Sequence, residues 1–200
     1  MPEAGPHEVS KFEFSIAYDG VALAETGDHS IDVQTLAPAL LAIGKLIREA
    51  NAEFNGKKST ANVRVVSDFE HRCFNINFEV IVGWYAQLQT LLGSESVKTA
   101  NDILEWLGLI GVPTSALTYL GFLKWKNGRK VIEANPLTDI DRSGVVEVRV
   151  EGDSNTIQVH NHVYHLSENP RALRATRDAF LPLGQDGFDN MKVRTGGFRC

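Results

Sequence analysis

The residues best suited to chemistry lie late in the 200-residue chain, where His160, His162 and His165 cluster in the run HNHVYH. On a strand, His160 and His162 point to one face about 7 Å apart, a separation that suits two ligands of a metal ion. A metal needs one or two ligands more. Glu151 and Asp153 are near in sequence, but nothing fixes their position. General acid–base work by an imidazole is a second option. A polar strand face carrying exposed imidazoles explains the same pattern, so no metal site is assigned.

Arg171, Arg174 and Arg177 recur at every third position just downstream. With the histidines, or with Lys57 and Lys58, they make a candidate site for a phosphate or nucleotide, because forked guanidinium donors suit an anion. Three residues advance a helix short of a full turn by about 60°, so the outer two arginines stand about 120° apart. A solvated helix surface is the competing account, with Asp178 pairing Arg174 at four-residue spacing. The candidate ligand set is thus Arg171, Arg174, Arg177, His160 and His162. Asp139 and Asp141 flank Ile140, with Arg142 beside them, and read as a turn. Cys73 has His71 two residues away, but no third group orients that pair toward thiolate chemistry. The chain contains no P-loop, G-x-G-x-x-G, G-x-S-x-G or H-E-x-x-H. No catalytic residue and no cofactor is assigned, and binding fits the sequence better than catalysis.

Composition sets the frame for these groups. Hydrophobic content of 43% and charged content of 22% describe a globular chain with a real core. A formal net charge of −5 argues against sequence-specific DNA binding, whose footprint is basic. Two cysteines, Cys73 and Cys200, form neither a disulfide framework nor a metal spacing, which points to a reducing cytoplasm. The start, MPEAGPHEVSKFEF, lacks the basic and apolar regions of a signal peptide and reads as a short lead-in.

The elements that must position the candidates alternate between strand and helix patterns. Phe12, Phe14, Ile16 and Tyr18 alternate with polar residues, the mark of a half-buried strand. Leu36, Leu40, Ile43, Ile47, Ala50 and Phe54 draw one helical stripe, capped by Asp32 or Thr35 and stopped by Gly56. If Thr35 is the cap, Pro38 falls in the first turn. Valine-rich residues 62–69 and the alternating Phe74, Ile76, Phe78 and Val80 predict a hairpin. Two or three apolar helices are expected from Val82 to Lys126, the last two over 96–110 and 114–126, folded back at Pro113. Strands are expected over 131–140, around Val146, Val148 and Val150, and around Ile157, Val159 and Val163. A last helix opens with Asn169 as cap and Pro170 in its first turn, directs Ala172, Thr176, Ala179, Phe180 and Leu183 inward, and stops at Gly184. A short strand over 191–195 ends the pattern. The predicted class is α+β: small sheets, one long amphipathic helix and an inserted apolar helical hairpin. Three units result, 1–81, 82–127 and 128–200, which can form one compact domain.

The order of FEFSIAYDG, a long helix, paired strands, a glycine-containing apolar segment closed by KWKNGRK, then VEVRVEGD, IQVHNHVYHL and NPRALRATRDAFLPLGQDG resembles an uncharacterised prokaryotic and phage protein family. The resemblance covers Phe12 to about Val193. It implies a setting in bacterial genomes, prophages and mobile elements, and with it a role in bacterial immunity or its evasion. It implies no activity and supplies no catalytic residue. Members of that family often continue into a further β-rich region, which would make this chain a short or truncated member.

The run from Trp106 to Leu123 contains no Asp, Glu, Lys, Arg or His. A membrane reading uses Trp106, Tyr119 and Trp125 as interface anchors, Lys124, Lys126, Arg129 and Lys130 as a cytoplasmic flank, and Gly108, Gly111, Ser115 and Ala116 for close helix contact. Pro113 breaks the run into halves too short to span, which favours burial within protein. A chain of this size has limited room for two such helices, so Trp106, Leu107, Leu109, Ile110, Leu117, Leu120, Phe122 and Leu123 are expected at a homo-oligomer interface or in lipid. Two functions follow. The first is a cytoplasmic, self-associating binding protein that captures a small anionic ligand or a protein partner. The alternative is an effector whose oligomerisation drives the apolar hairpin into a bilayer. A metal-dependent hydrolase built on HNHVYH is a third, weaker reading.

Overall fold

The computed structural model describes residues 7–19, 31–56, 59–66, 76–85, 97–111, 117–138, 144–184 and 188–196. Lys57, Lys58, His71, Cys73, Pro113, Asp139, Asp141 and Arg142 lie outside them. The described residues contain seven strands and five helices, an α+β architecture with two antiparallel sheets.

The larger sheet is built around β1 (His7–Asp19), which pairs with β3 (Ile76–Tyr85) on one side and β7 (Asn190–Thr195) on the other. The edge strand β2 (Ser59–Val66) pairs with β3. Period-2 alternation fixes the register. Phe12, Phe14 and Ile16 stand opposite Val80, Phe78 and Ile76, which gathers the apolar side chains on one face. Phe14 and Phe78 stack with ring centroids 5.1 Å apart. The short strand expected over 191–195 forms and closes the sheet against β1, so elements from both ends of the described chain share one sheet.

Helix α1 (Val33–Asn55) buries one flank of its surface and packs against β2 and three further helices. Asp32 is the cap, its carboxylate accepting the Gln34 N–H at 2.9 Å. Pro38 therefore sits in the second turn, where Gln34's carbonyl lacks its usual partner on an exposed face that water can reach. The buried arc is broader than the stripe read from sequence. It adds Ala39, Ala42 and Leu46, while Leu36 and Leu40 are only half-buried. Gly56 ends the helix as expected, its N–H bonding the Ala52 carbonyl.

A buried polar clamp locks the end of α1. The Asn55 side chain accepts the Lys98 N–H at 2.7 Å and donates to the Lys98 carbonyl at 2.8 Å. Asn51 links Asn55 to Ser59 at the start of β2. These side chains are almost fully buried, so the bonds keep polar atoms satisfied within the core.

The clamp delivers the chain into α2 (Ala100–Leu107), which starts at a reciprocal capping box of Thr99 and Asp102. The apolar segment holds two short helices, α2 and α3 (Tyr119–Lys126), in place of the longer pair over 96–110 and 114–126. Gly108 ends α2 in the left-handed region at φ 81°, and the Leu109 N–H reaches back to the Leu104 carbonyl. A Cβ at Gly108 would lie 2.5 Å from the Thr118 hydroxyl, the cap of α3, so only glycine permits this approach.

The smaller sheet is a meander of β4 (Val131–Pro136), β5 (Val145–Val150) and β6 (Thr156–His160). Val146, Val148 and Val150 face the core while Glu147 and Arg149 face out. Helix α4 (Asn161–Glu168) follows β6 directly, where the sequence had suggested more strand through Val163. Helix α5 (Pro170–Ala179) is capped by Asn169 as expected, but ends at Phe180, short of Gly184. Its buried side chains are Ala172, Ala175 and Ala179, small enough for close packing along α1.

One hydrophobic cluster runs through all three sequence units. It contains Leu107, Leu109, Ile110, Tyr119 and Phe122, while Trp106, Leu117, Leu120 and Leu123 pack against it half-buried. The described part of the apolar run is thus sheltered by its own chain, and lack of room no longer argues for an oligomer interface or for lipid there. No helix among the described residues is long and apolar enough to cross a membrane. Two bases of the supposed cytoplasmic flank are also engaged: Lys126 bonds Glu168 at 2.5 Å and Arg129 bonds Asp153 at 3.0 Å.

Leu107→Ala should destabilise the chain by about 2–5 kcal/mol, the range for truncating a buried leucine, as a fall in urea midpoint at unchanged slope. The Asp153 carboxyl is held below its ordinary range by the Asn155 N–H and the Arg129 guanidinium. A depressed carboxyl contributes stability that is complete above its unfolded value and is lost as pH falls through its folded one. Asp153→Asn should therefore weaken the protein at neutral pH, and the difference from the parent should close as the pH drops below the usual carboxylate range in acid titration of the melting temperature.

Candidate functional site

The histidine run occupies a strand-to-helix junction, so its imidazoles do not line one strand face. His160 ends β6 and caps α4: its Nδ1 accepts the His162 N–H at 3.3 Å. An Nδ1 can accept only when it carries no proton, so this contact uses the tautomer protonated on Nε2. His162 lies in the first turn of α4, and its Nδ1 is 3.1 Å from the Glu53 carboxylate at the end of α1. The two imidazoles stack with centroids 5.3 Å apart and planes 24° from parallel. Trp106 of α2 packs on His160 at 4.8 Å, and Phe54 meets His162 edge-on at 5.6 Å. His165 points outward and is exposed.

Four elements therefore converge here: α1 with Glu53 and Phe54, α2 with Trp106, β6 with His160, and α4 with His162. The cluster is half-buried, with side-chain exposure of 23% at His162 and 27% at Glu53. A carboxylate on Nδ1 orients an imidazole and leaves Nε2 as the reactive nitrogen. Among the described residues, no group of three or more His, Cys, Asp or Glu side chains could hold a metal ion. The sequence missed Glu53, Phe54 and Trp106 as neighbours of the histidines, because contacts between residues so far apart in the chain leave no local pattern.

The arginines occupy a different kind of surface. The three alanines of α5 face the core, so Arg171, Arg174 and Arg177 are all exposed. The expected Arg174–Asp178 pair does not form. Asp178 instead accepts from its neighbour Arg177 at 3.3 Å, and the side chains of Arg171 and Arg174 make no hydrogen bond or ion pair among the described residues. The start of α5 is anchored twice by Asn169, whose Oδ1 accepts the Arg171 N–H at 2.9 Å and whose Nδ2 donates to Glu49 of α1 at 3.0 Å. The other end is held from β1, where the Tyr18 hydroxyl donates to the Ala179 carbonyl at 3.2 Å. Burial pushes the Tyr18 phenol up to about 12, which keeps it a donor across the physiological range.

The geometry separates the five candidates into two groups. His160 and His162 are absorbed into contacts that join α1, α2, β6 and α4, whereas the arginines stand on a rigidly docked helix with their guanidinium groups in solvent.

His160→Ala should destabilise the protein by about 0.5–2 kcal/mol, the usual loss on removing a helix N-cap, and His160→Asn should restore most of it because asparagine supplies the same acceptor. Urea unfolding of the two variants at neutral pH checks this.

No protein-family model matches this chain, and neither a curated protein nor a solved structure matches it. The resemblance to a prokaryotic and phage family gains no support from these comparisons, and the fold and its surfaces carry the functional reading.

Proposed function

We propose that this chain is a non-enzymatic binding protein that captures an anionic ligand or an acidic protein partner on the outer face of α5. The observation that supports it most is the exposure of Arg171 and Arg174 without an acidic partner among the described residues, on a helix pinned at both ends. Exposed guanidinium groups offer paired donors to phosphate or carboxylate oxygens, and a pre-positioned helix loses little entropy when they engage. Arg177 extends the surface while sharing its charge with Asp178. The chain's overall acidity of −5 makes this local basic face selective, since anions are repelled elsewhere.

His160 and His162 are not part of the proposed ligand set, because they belong to the contacts that join α1, α2, β6 and α4 and not to the outer face of α5. A place among phage or mobile-element proteins, with a part in immunity or its evasion, is supported by the sequence resemblance alone.

Titration calorimetry with inorganic pyrophosphate, ATP and a poly-glutamate peptide tests the proposal. At least one should bind, with an affinity that falls as salt rises and drops about tenfold or more in an Arg171→Ala, Arg174→Ala double variant. Equal heats from parent and double variant would contradict it.

A further inference from the structure

We propose that a single water molecule is bound between Ser15 of β1 and Asn77 of β3, on the face of the larger sheet that points away from the apolar core. Phe14 and Ile16 turn into the core, so Ser15 between them turns to the other face. There it stands directly opposite Asn77. Its neighbours on that face are charged and open to solvent: Glu13 two residues back along β1, and Arg194 beside it on β7. Ser15 is nevertheless only 2% exposed. Its hydroxyl oxygen and the Asn77 Oδ1 are both cut off from bulk solvent, and neither makes a hydrogen bond among the described residues.

Two such atoms side by side are unusual, because buried polar groups are nearly always paired with protein or with ordered water. Directly opposed residues of an antiparallel pair hold their Cβ atoms about 5 Å apart. A hydrogen bond between oxygens spans about 2.8 Å, so one water placed between the two side chains reaches both. The donor and acceptor roles balance. The water gives one hydrogen to Oδ1, which can only accept, and meets the hydroxyl with its other hydrogen or a lone pair, since a hydroxyl can do either. Two partners meet the minimum for a buried water. A metal cation fits poorly, because two neutral oxygens fall well short of the six or more that a hard cation takes. The next acid along this face of β3, Glu79, is already matched by Lys11 and Arg64. The bridge would tie β1 to β3 beside that ion network, at the one pair on this face where both polar atoms are buried without a partner among the described residues.

A high-resolution crystal structure of the parent, with urea unfolding of a Ser15→Ala variant, is the test. Density for one water should lie within hydrogen-bonding distance of Ser15 Oγ and Asn77 Oδ1. Ser15→Ala removes one of its two anchors and should lower the urea midpoint. Another side chain bonded to these oxygens, a direct Ser15–Asn77 bond, or no density between them overturns the proposal. So does a Ser15→Ala midpoint at or above that of the parent, because deleting a hydroxyl that is truly unpaired costs nothing. If Ser15→Ala fails to fold, the density in the parent still decides.

Discussion

Burial of one broad flank of α1 is the constraint on which the rest of this structure depends. The helix meets β2 along one border and α2, α4 and α5 along the others. Ile43, Leu46, Ile47 and Ala50 are essentially inaccessible, and each fully buried isoleucine or leucine contributes about 1.5–3 kcal/mol before conformational entropy is subtracted. Every functional candidate is positioned from this helix. Glu53 and Phe54 receive the histidine pair, Glu49 receives the cap of α5, and Asn55 steers the chain into α2.

The apolar run gains its place from the same arrangement. Ile103, Leu104, Leu107, Tyr119 and Phe122 are buried in the cluster that contains the α1 stripe. The glycine at 108 lets the end of α2 and the start of α3 meet at Thr118. The Tyr119 hydroxyl bonds Thr176 at 2.9 Å, tying α3 to the arginine-bearing helix. The described part of the run packs into the same cluster as α1, with Trp106, Leu117, Leu120 and Leu123 half-buried against it. The outward faces carry charge at the arginines of α5, the ion network over β1 and β3, and the Glu133–Arg149 pair on the smaller sheet.

Local periodicity made much of this legible beforehand. The alternation of β1, β3 and β5, the helical stripe of α1, its Gly56 stop and the Asn169–Pro170 start of α5 were all readable, since each is set by residues within one or two turns. What was not readable depends on distant contacts. Nothing near His160 announces that its ring will cap a helix, and HNHVYH alternates as well as a strand would. The inner arc of α1 was drawn too narrow because Ala39 and Ala42 count as weakly apolar until α5 covers them. The arginines were found as a spacing. Their exposure follows from the alanines between them, which the same wheel shows once the helix is known to have a buried side.

If the apolar run belongs to the core built on α1, it must unfold together with the rest of the protein. In a Trp84→Phe variant the remaining fluorophores, Trp106 and Trp125, report on the run itself. Urea unfolding followed by their emission and by far-ultraviolet circular dichroism should give coincident transitions with one midpoint and one slope. An emission transition well below the dichroism transition would show that the run is a separately packed appendage, and would contradict a single core organised by α1.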